Sequence, residues 1–278
     1  MRKFYLRFLI LGVTFLLQSV WTISAFGQEQ VISAGIPAKS ALEHLSNINS
    51  DREQTLPLAN GANKQLSAPK EYLLNNGLRV ILVKDKAYPF ISFFAWYKVG
   101  SRDDPAGRTG LTHLVEHLLF QNIGSFNGNQ WATSVVRTGG EFSGFTSEDF
   151  TAFYSNLPTY QLALAIKGEA ARMRAARFTK ADVVKEVEHL TAEAKAEEQD
   201  LNQTLNREVH ALAYEKHPYR NPPGGWRQEL QRLTYNEAKA HYDKYFQPNN
   251  ACIVLVGNFD EQIASTLIEK YFGIIQKI

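Results

Sequence analysis

The stretch TGLTHLVEHLLFQN (residues 109–122) carries two histidines and one glutamate on a short apolar segment. His113 and His117 stand four residues apart, so a helix places both imidazoles on one face, with Glu116 beside them. The order H-x-x-E-H is the mirror of H-E-x-x-H, in which two histidines bind zinc and the glutamate acts as general base. The spacing therefore predicts a zinc site with His113 and His117 as ligands and Glu116 as the catalytic base.

Chance placement on an amphipathic helix is the alternative explanation of this pattern. The rest of the segment is strongly apolar and contains Leu111, Leu114, Val115, Leu118, Leu119 and Phe120. Such a helix is predicted to be buried, where two imidazoles and a carboxylate are costly unless they have partners. A bound metal ion supplies those partners, so the pattern favours the zinc site.

The chain has 278 residues, of which 44% are hydrophobic, enough for one large or two small globular domains. Residues 1–27 combine early positive charges, an apolar run and small residues, which predicts a bacterial signal peptide and an exported, periplasmic or secreted, protein. An uncleaved membrane anchor is the alternative. Residues 28–69 are polar and predict a flexible linker, which leaves residues 70–278 as the folded domain.

Charge and cysteine content argue against other classes of protein. The formal net charge of +2 becomes −1 without the leader, because the leader holds three basic residues and no acidic one. No basic stripe with interleaved aromatic residues is present, so nucleic-acid binding is not expected. The single cysteine, Cys252, cannot form an internal disulfide and is predicted to be a small buried hydrophobic residue.

The order of predicted elements indicates an α+β fold. Residues 71–74 and 78–84 flank Asn75-Asn76-Gly77, a hairpin signal, and residues 90–100 predict a central strand. Further strands are predicted at residues 141–146, 150–156 and 251–257, and helices at residues 130–137, 160–176, 181–200, 203–216, 234–245 and 261–272. We expect one unit, a mostly antiparallel sheet with helices packed on one face.

A catalytic zinc normally takes three protein ligands, so one more is needed. The predicted helical segment KEVEHLTAEAKAEE (residues 185–198) is rich in acids, and Glu193 is the preferred candidate. Glu186 lies seven residues earlier, which is two helical turns, and shares its face. Spacing alone does not separate Glu193 from His189 or Glu197.

Several motifs in order resemble the pitrilysin, insulin-degrading and mitochondrial-processing peptidase family of inverted-motif (HxxEH) zinc metallopeptidases. They are GSRDDPAGRTGLTHLVEHLLF (residues 100–120), GGEFSGFTSEDFTAFYSNLP (residues 139–158), the two spaced glutamates, HPYRNPP (residues 217–223) and YFQPNNACIVLVGNFD (residues 245–260). The resemblance covers about residues 70–278. It implies that Glu193 is the third zinc ligand and that Glu186 is an acid supporting the site.

The sequence departs from the family pattern in three places. Ser143-Gly144 stand where the family has Asn-Ala, in the strand that grips substrate backbone, and residues 121–124 replace the usual Gly-Thr that ends the metal helix. The resemblance still implies that substrate adds as a strand along Phe142, Ser143, Gly144, Phe145 and Thr146. The family's halves each contain two related units, whereas the match here covers one.

The resemblance implies a zinc-dependent metalloendopeptidase that cleaves peptides or unfolded protein segments. The alternative is a non-catalytic or partner-dependent subunit of a two-component peptidase of the same family. We expect zinc as the cofactor and a second-half partner or a homo-oligomer. A membrane contact is expected only through an uncleaved leader.

Overall fold

The computed structural model describes residues 67–124, 126 and 130–276; the predicted leader and most of the predicted linker lie outside the described residues. Six strands form one mixed sheet: β1 Lys70–Leu73, β2 Arg79–Lys84, β3 Phe90–Tyr97, β4 Glu141–Thr146, β5 Thr151–Pro158 and β6 Ala251–Gly257. Their order is β1-β2-β6-β3-β5-β4, and every neighbouring pair is antiparallel except β2 with β6. The expected mostly antiparallel sheet is confirmed.

The predicted hairpin between β1 and β2 is present. Gly77 has a φ of 87°, and its N–H donates to the carbonyl of Leu74 across 2.9 Å. Only glycine reaches this conformation without strain, so Asn76-Gly77 ends β1 and directs the chain into β2.

Eight helices lie in the part of the chain that the structure describes. They are α1 Leu111–Leu118, α2 Gln130–Arg137, α3 Leu162–Ala175, α4 Lys180–Glu197, α5 Leu201–Ala213, α6 Arg227–Leu230, α7 Tyr235–Tyr245 and α8 Glu261–Phe272. Thr179 and Thr234 cap α4 and α7, each in a capping box with the acid three residues later. The short helix α6 was not predicted, and the other bounds agree with the predicted ranges to within a few residues.

The alternation of β3 shows which face of the sheet the helices cover. Ile91, Phe93, Ala95 and Tyr97 are buried, and the rings of Phe93 and Tyr97 contact those of Phe272 and Phe246. The opposite face carries an open-face aromatic cluster of Phe94, Trp96, Phe145, Phe150 and Tyr154, whose rings contact one another. The helices thus pack on one face, as expected. Among the described residues, no helix is long and apolar enough to cross a bilayer.

Candidate metal centre

The helix α1 is held at its N-terminus by a carboxylate from the preceding loop. Asp104 accepts hydrogen bonds from the backbone N–H groups of Gly110 and Thr112 at 2.8 and 2.9 Å, and from the Thr112 hydroxyl at 2.6 Å. The same hydroxyl lies 2.9 Å from Nε2 of His241 on α7. A carboxylate that binds the first N–H groups of a helix fixes its start and complements its dipole.

A buried arginine holds the other end of α1. Arg172 of α3 is fully buried, donates to the carbonyl of Leu119 at 2.5 Å and pairs with Glu169 at 3.0 Å. Its guanidinium lies 4.6 to 4.9 Å from the centres of three rings, those of Phe120, Trp131 and Phe153. The orientation of α1, and so of its histidines, is therefore fixed at both ends.

The predicted ligands lie together between α1 and α4. One donor atom from each of His113, His117 and Glu193 falls in a group whose atoms are all within 4.8 Å of one another. The Nε2 atoms of the two histidines are 3.1 Å apart. His189 and Glu197 are outside this group, and the side chain of His189 is exposed.

The donor set fits a zinc ion. Oε2 of Glu193 is buried without a hydrogen-bond partner among the described residues, which is costly unless a cation faces it. Two nitrogens on a tetrahedral zinc, with Zn–N bonds of about 2.0–2.1 Å, lie about 3.3 Å apart, close to the observed separation of the histidines. Both Nε2 atoms therefore lie where a single zinc ion would contact them together.

Burial and nearby charges set the protonation of the two imidazoles. Burial lowers the pKa of His113 well below its usual value, which favours the neutral form that binds metals. Burial also lowers the pKa of His117, but the hydrogen bond to Glu186 and the charges of Glu116 and Glu193 outweigh it, so the net shift is upward. In the metal-free protein His117 is thus the histidine that holds a proton more readily.

The predicted base, Glu116, faces the edge strand. Its side chain is only 4% exposed, and Oε2 accepts a hydrogen bond from the Thr146 hydroxyl at 2.8 Å. Burial raises the pKa of this carboxyl, against the lowering effects of His117 and Thr146. A carboxylate with a raised pKa is a better proton acceptor near neutral pH.

The second predicted acid, Glu186, contacts His117. Its Oε2 lies 3.4 Å from Nδ1 of His117, and its Oε1 accepts a hydrogen bond from the side-chain amide of Gln121 at 2.8 Å. Burial raises the pKa of Glu186, but the hydrogen bond to His117, the charges of His117 and His189 and the hydrogen bond to Gln121 together outweigh it, so the net shift is downward. Gln121 was not predicted as part of the site, although its position four residues after His117 places both on one side of the helical turn.

The predicted substrate strand β4 is at the edge of the sheet and pairs only with β5 among the described strands. Gly144 faces the helices, where an added Cβ would lie 2.8 Å from the ring of Phe120 and 3.0 Å from that of Phe153. An alanine at position 144 would therefore require the rings of Phe120 and Phe153 to shift. The backbone groups along the free edge remain available for an added strand.

Comparison with known proteins supports these assignments of fold and family. The model of the insulinase family (peptidase family M16) matches residues 79–224, and that of the peptidase M16 inactive domain matches residues 232–278. The zinc protease PqqE of Helicobacter pylori is 28% identical over 232 residues, which are 81% of this chain and 51% of that protein. The chain spans about half the length of the first curated relatives it matches.

Solved structures share the fold. A protease from Helicobacter pylori has a TM-score of 0.73 at 26% identity, with 76% of this chain and 51% of that chain covered. The first half of the periplasmic protease PqqL from Escherichia coli has a TM-score of 0.69 at 23% identity, with 76% of this chain and 47% of that chain covered. The chain therefore belongs to the insulinase family, peptidase family M16, a zinc-dependent family of peptidases.

Proposed function

We propose that this chain is a zinc-dependent metalloendopeptidase that hydrolyses peptide bonds in peptides or unfolded protein segments. The observation that carries the proposal is the convergence of donor atoms from His113, His117 and Glu193 beside Glu116. These three side chains would hold the ion, and three protein ligands are the number that a catalytic zinc normally takes.

When bound, zinc polarises the scissile carbonyl and lowers the pKa of the attacking water. Glu116 takes the proton from that water and delivers it to the leaving amine. Thr146 holds the carboxylate of Glu116 by its hydroxyl, and Glu186 holds the ring of His117 by Nδ1. The free edge of β4, residues 142–146, binds the substrate backbone as an added strand.

A partner-dependent or non-catalytic subunit of a two-component peptidase is the second candidate. One observation favours it: one face of the sheet carries the open-face aromatic cluster. The partner in that case is a second half of related construction or another copy of this chain. Export to the periplasm is proposed from the leader, and the periplasmic relative PqqL supports it.

The test is the substitution Glu116→Gln in the purified chain, with Glu188→Gln as control because Glu188 is an exposed acid on α4. We expect Glu116→Gln to keep the parent zinc content and to lose cleavage of a quenched peptide, and Glu188→Gln to behave like the parent. Cleavage by Glu116→Gln at the parent rate would overturn the mechanism. A parent that binds zinc but cleaves only after a second-half protein is added establishes the second candidate.

A further inference from the structure

We propose that Gln121 is a positioning residue that raises the affinity of the site for zinc by orienting Glu186 against His117. The inference rests on the proposed ligand set. Gln121 follows the last turn of α1, and its backbone N–H donates to the carbonyl of Leu118 at 3.3 Å. It occupies the segment in which this sequence departs from the usual end of the metal helix.

Each carboxylate oxygen of Glu186 contacts a residue at the C-terminal end of α1. Oε1 accepts from Gln121 at 2.8 Å, and Oε2 lies 3.4 Å from Nδ1 of His117. The side chains of Glu186 and His117 are 14% and 17% exposed, so water competes little for these contacts. Gln121 and His117 thus hold the carboxylate from its two sides.

These two contacts of Glu186 would determine which nitrogen of His117 faces a bound zinc ion. A carboxylate that accepts from Nδ1–H fixes the tautomer in which Nε2 keeps its lone pair, and Nε2 is the atom 3.1 Å from Nε2 of His113. The last torsion of a glutamate side chain is broad, so a carboxylate held at one oxygen turns more freely. The amide of Gln121 removes that freedom.

Gln121 carries no charge, so it does not attract the zinc ion by a charge of its own. Its effect on zinc binding comes through the position of Glu186. This separates its role from that of a ligand. If Glu186 is absent, the identity of residue 121 should no longer matter to the metal. A residue that merely supports the fold would not show this dependence on Glu186.

The test measures zinc affinity by competition with a chromophoric chelator, in the full chain, for the parent, Gln121→Leu, Glu186→Ala and the double variant. We expect Gln121→Leu to weaken zinc binding about 10-fold, the lower end of the range for residues that orient metal ligands. The double variant should bind as Glu186→Ala does. Gln262→Leu, the same exchange at an exposed position of α8, should bind zinc like the parent.

The visible absorption of the cobalt-loaded protein gives a second readout, because its bands depend on the placement of the ligands. We expect Gln121→Leu to shift these bands and Gln262→Leu to leave them unchanged. If Gln121→Leu does not fold, Gln121→Asn, one methylene shorter, takes its place with the same expected weakening.

Two results would overturn the inference: parent affinity in the position-121 variant, or equal effects of that change with and without Glu186. The variants His113→Ala and His117→Ala serve as controls for the ligand set. If both lose zinc, either of these two results overturns only the role of Gln121. Parent zinc affinity in both histidine variants would instead overturn the proposed ligand set.

Discussion

Thr146 donates its hydroxyl proton to Oε2 of Glu116 across 2.8 Å, and this bond joins the edge strand β4 to the metal-site helix α1. Thr146 faces the helices because β4 alternates, and its partner in the β5 ladder is Thr151. Thr151 in turn donates its hydroxyl proton to the carbonyl of Val99. The strand that we propose to bind substrate is therefore also the element that holds the proposed base.

Replacing Thr146 by Val keeps the shape of the side chain and removes the hydroxyl. We expect kcat to fall about 10-fold, because a general base that is less well oriented loses part of its rate contribution. KM should change less than about twofold. Zinc content should stay at the parent level, because Glu116 is not a ligand in the proposed set. Steady-state kinetics on a quenched peptide, with metal analysis, measures both quantities.

The matched control is Thr146→Ser, which retains a hydroxyl and should keep kcat within about threefold of the parent. If Val and Ser at position 146 reduce kcat equally, the hydroxyl does not act through Glu116 and the strand itself is the sensitive element.

Glu193 and Glu197 lie one helical turn apart on α4, and only Glu193 belongs to the group of donor atoms around the histidines. Replacing Glu193 by Gln removes the one negative charge among the three ligands, so zinc should be lost on dialysis against a weak chelator. Glu197→Gln should retain zinc. Metal content after dialysis measures the difference, and equal retention by the two variants would move the third ligand to another residue, His189 being the next candidate.

Local patterns were enough to predict most elements of the fold. The hairpin at Gly77 and the helix starts at Thr179 and Thr234 each depend on residues close in sequence. The parallel pairing of β2 with β6 was not predicted, because it joins segments separated by most of the domain. Period-2 alternation shows which side chains share a face but not which strands pair.

For the candidate site too, residues close in sequence were predicted, whereas contacts between distant elements were not. The spacing of His113, Glu116 and His117 on one helix placed them correctly on one short element, whereas spacing alone left Glu193 beside two alternatives. Gln121 and Thr146 contact Glu186 and Glu116 between elements, at separations of 65 and 30 residues in sequence. A glutamine or a threonine carries no distinctive chemistry, so no sequence pattern marked either residue for these roles.

Asp104, which is half-buried, and His241, which is buried, are bridged by Thr112 and should affect stability with opposite pH dependence. Burial raises the pKa of Asp104 to about 7 from 3.8, so its stabilising contribution is present below pH 3.8 and is lost as pH rises through about 7. Burial lowers the pKa of His241 from 6.5 to about 4, so its contribution is present above pH 6.5 and is lost as pH falls through about 4.

Single substitutions separate the two effects in metal-free protein. Between about pH 4 and 7, the stability of Asp104→Asn should rise more steeply with pH than that of the parent, and that of His241→Gln less steeply. Urea unfolding at several pH values in that window measures the slopes. Parallel slopes in the parent and both variants would show that neither group changes its pKa on folding.

The open-face aromatic cluster leads to the last prediction, that the isolated chain associates and is a poor peptidase. Phe145 is 39% exposed and contacts Trp96 and Phe150, which are half-buried, on the face of the sheet opposite the buried side chains of β3. An exposed apolar face of this kind marks an association surface.

Among the described residues, β4 has a neighbouring strand on one side only, so a second protein on the other side would add donors that steady the developing oxyanion. The loss of one such donor typically costs about 100- to 1000-fold in rate, so turnover should lie well below the roughly 10 per second of complete enzymes. Sedimentation velocity should show self-association, or a stable complex with a second-half partner. The substitution Phe145→Ser should weaken this association. Ile263→Ser, which changes an exposed apolar residue on α8, should leave the association unchanged. A strictly monomeric parent that cleaves peptides at about 10 per second would contradict the prediction.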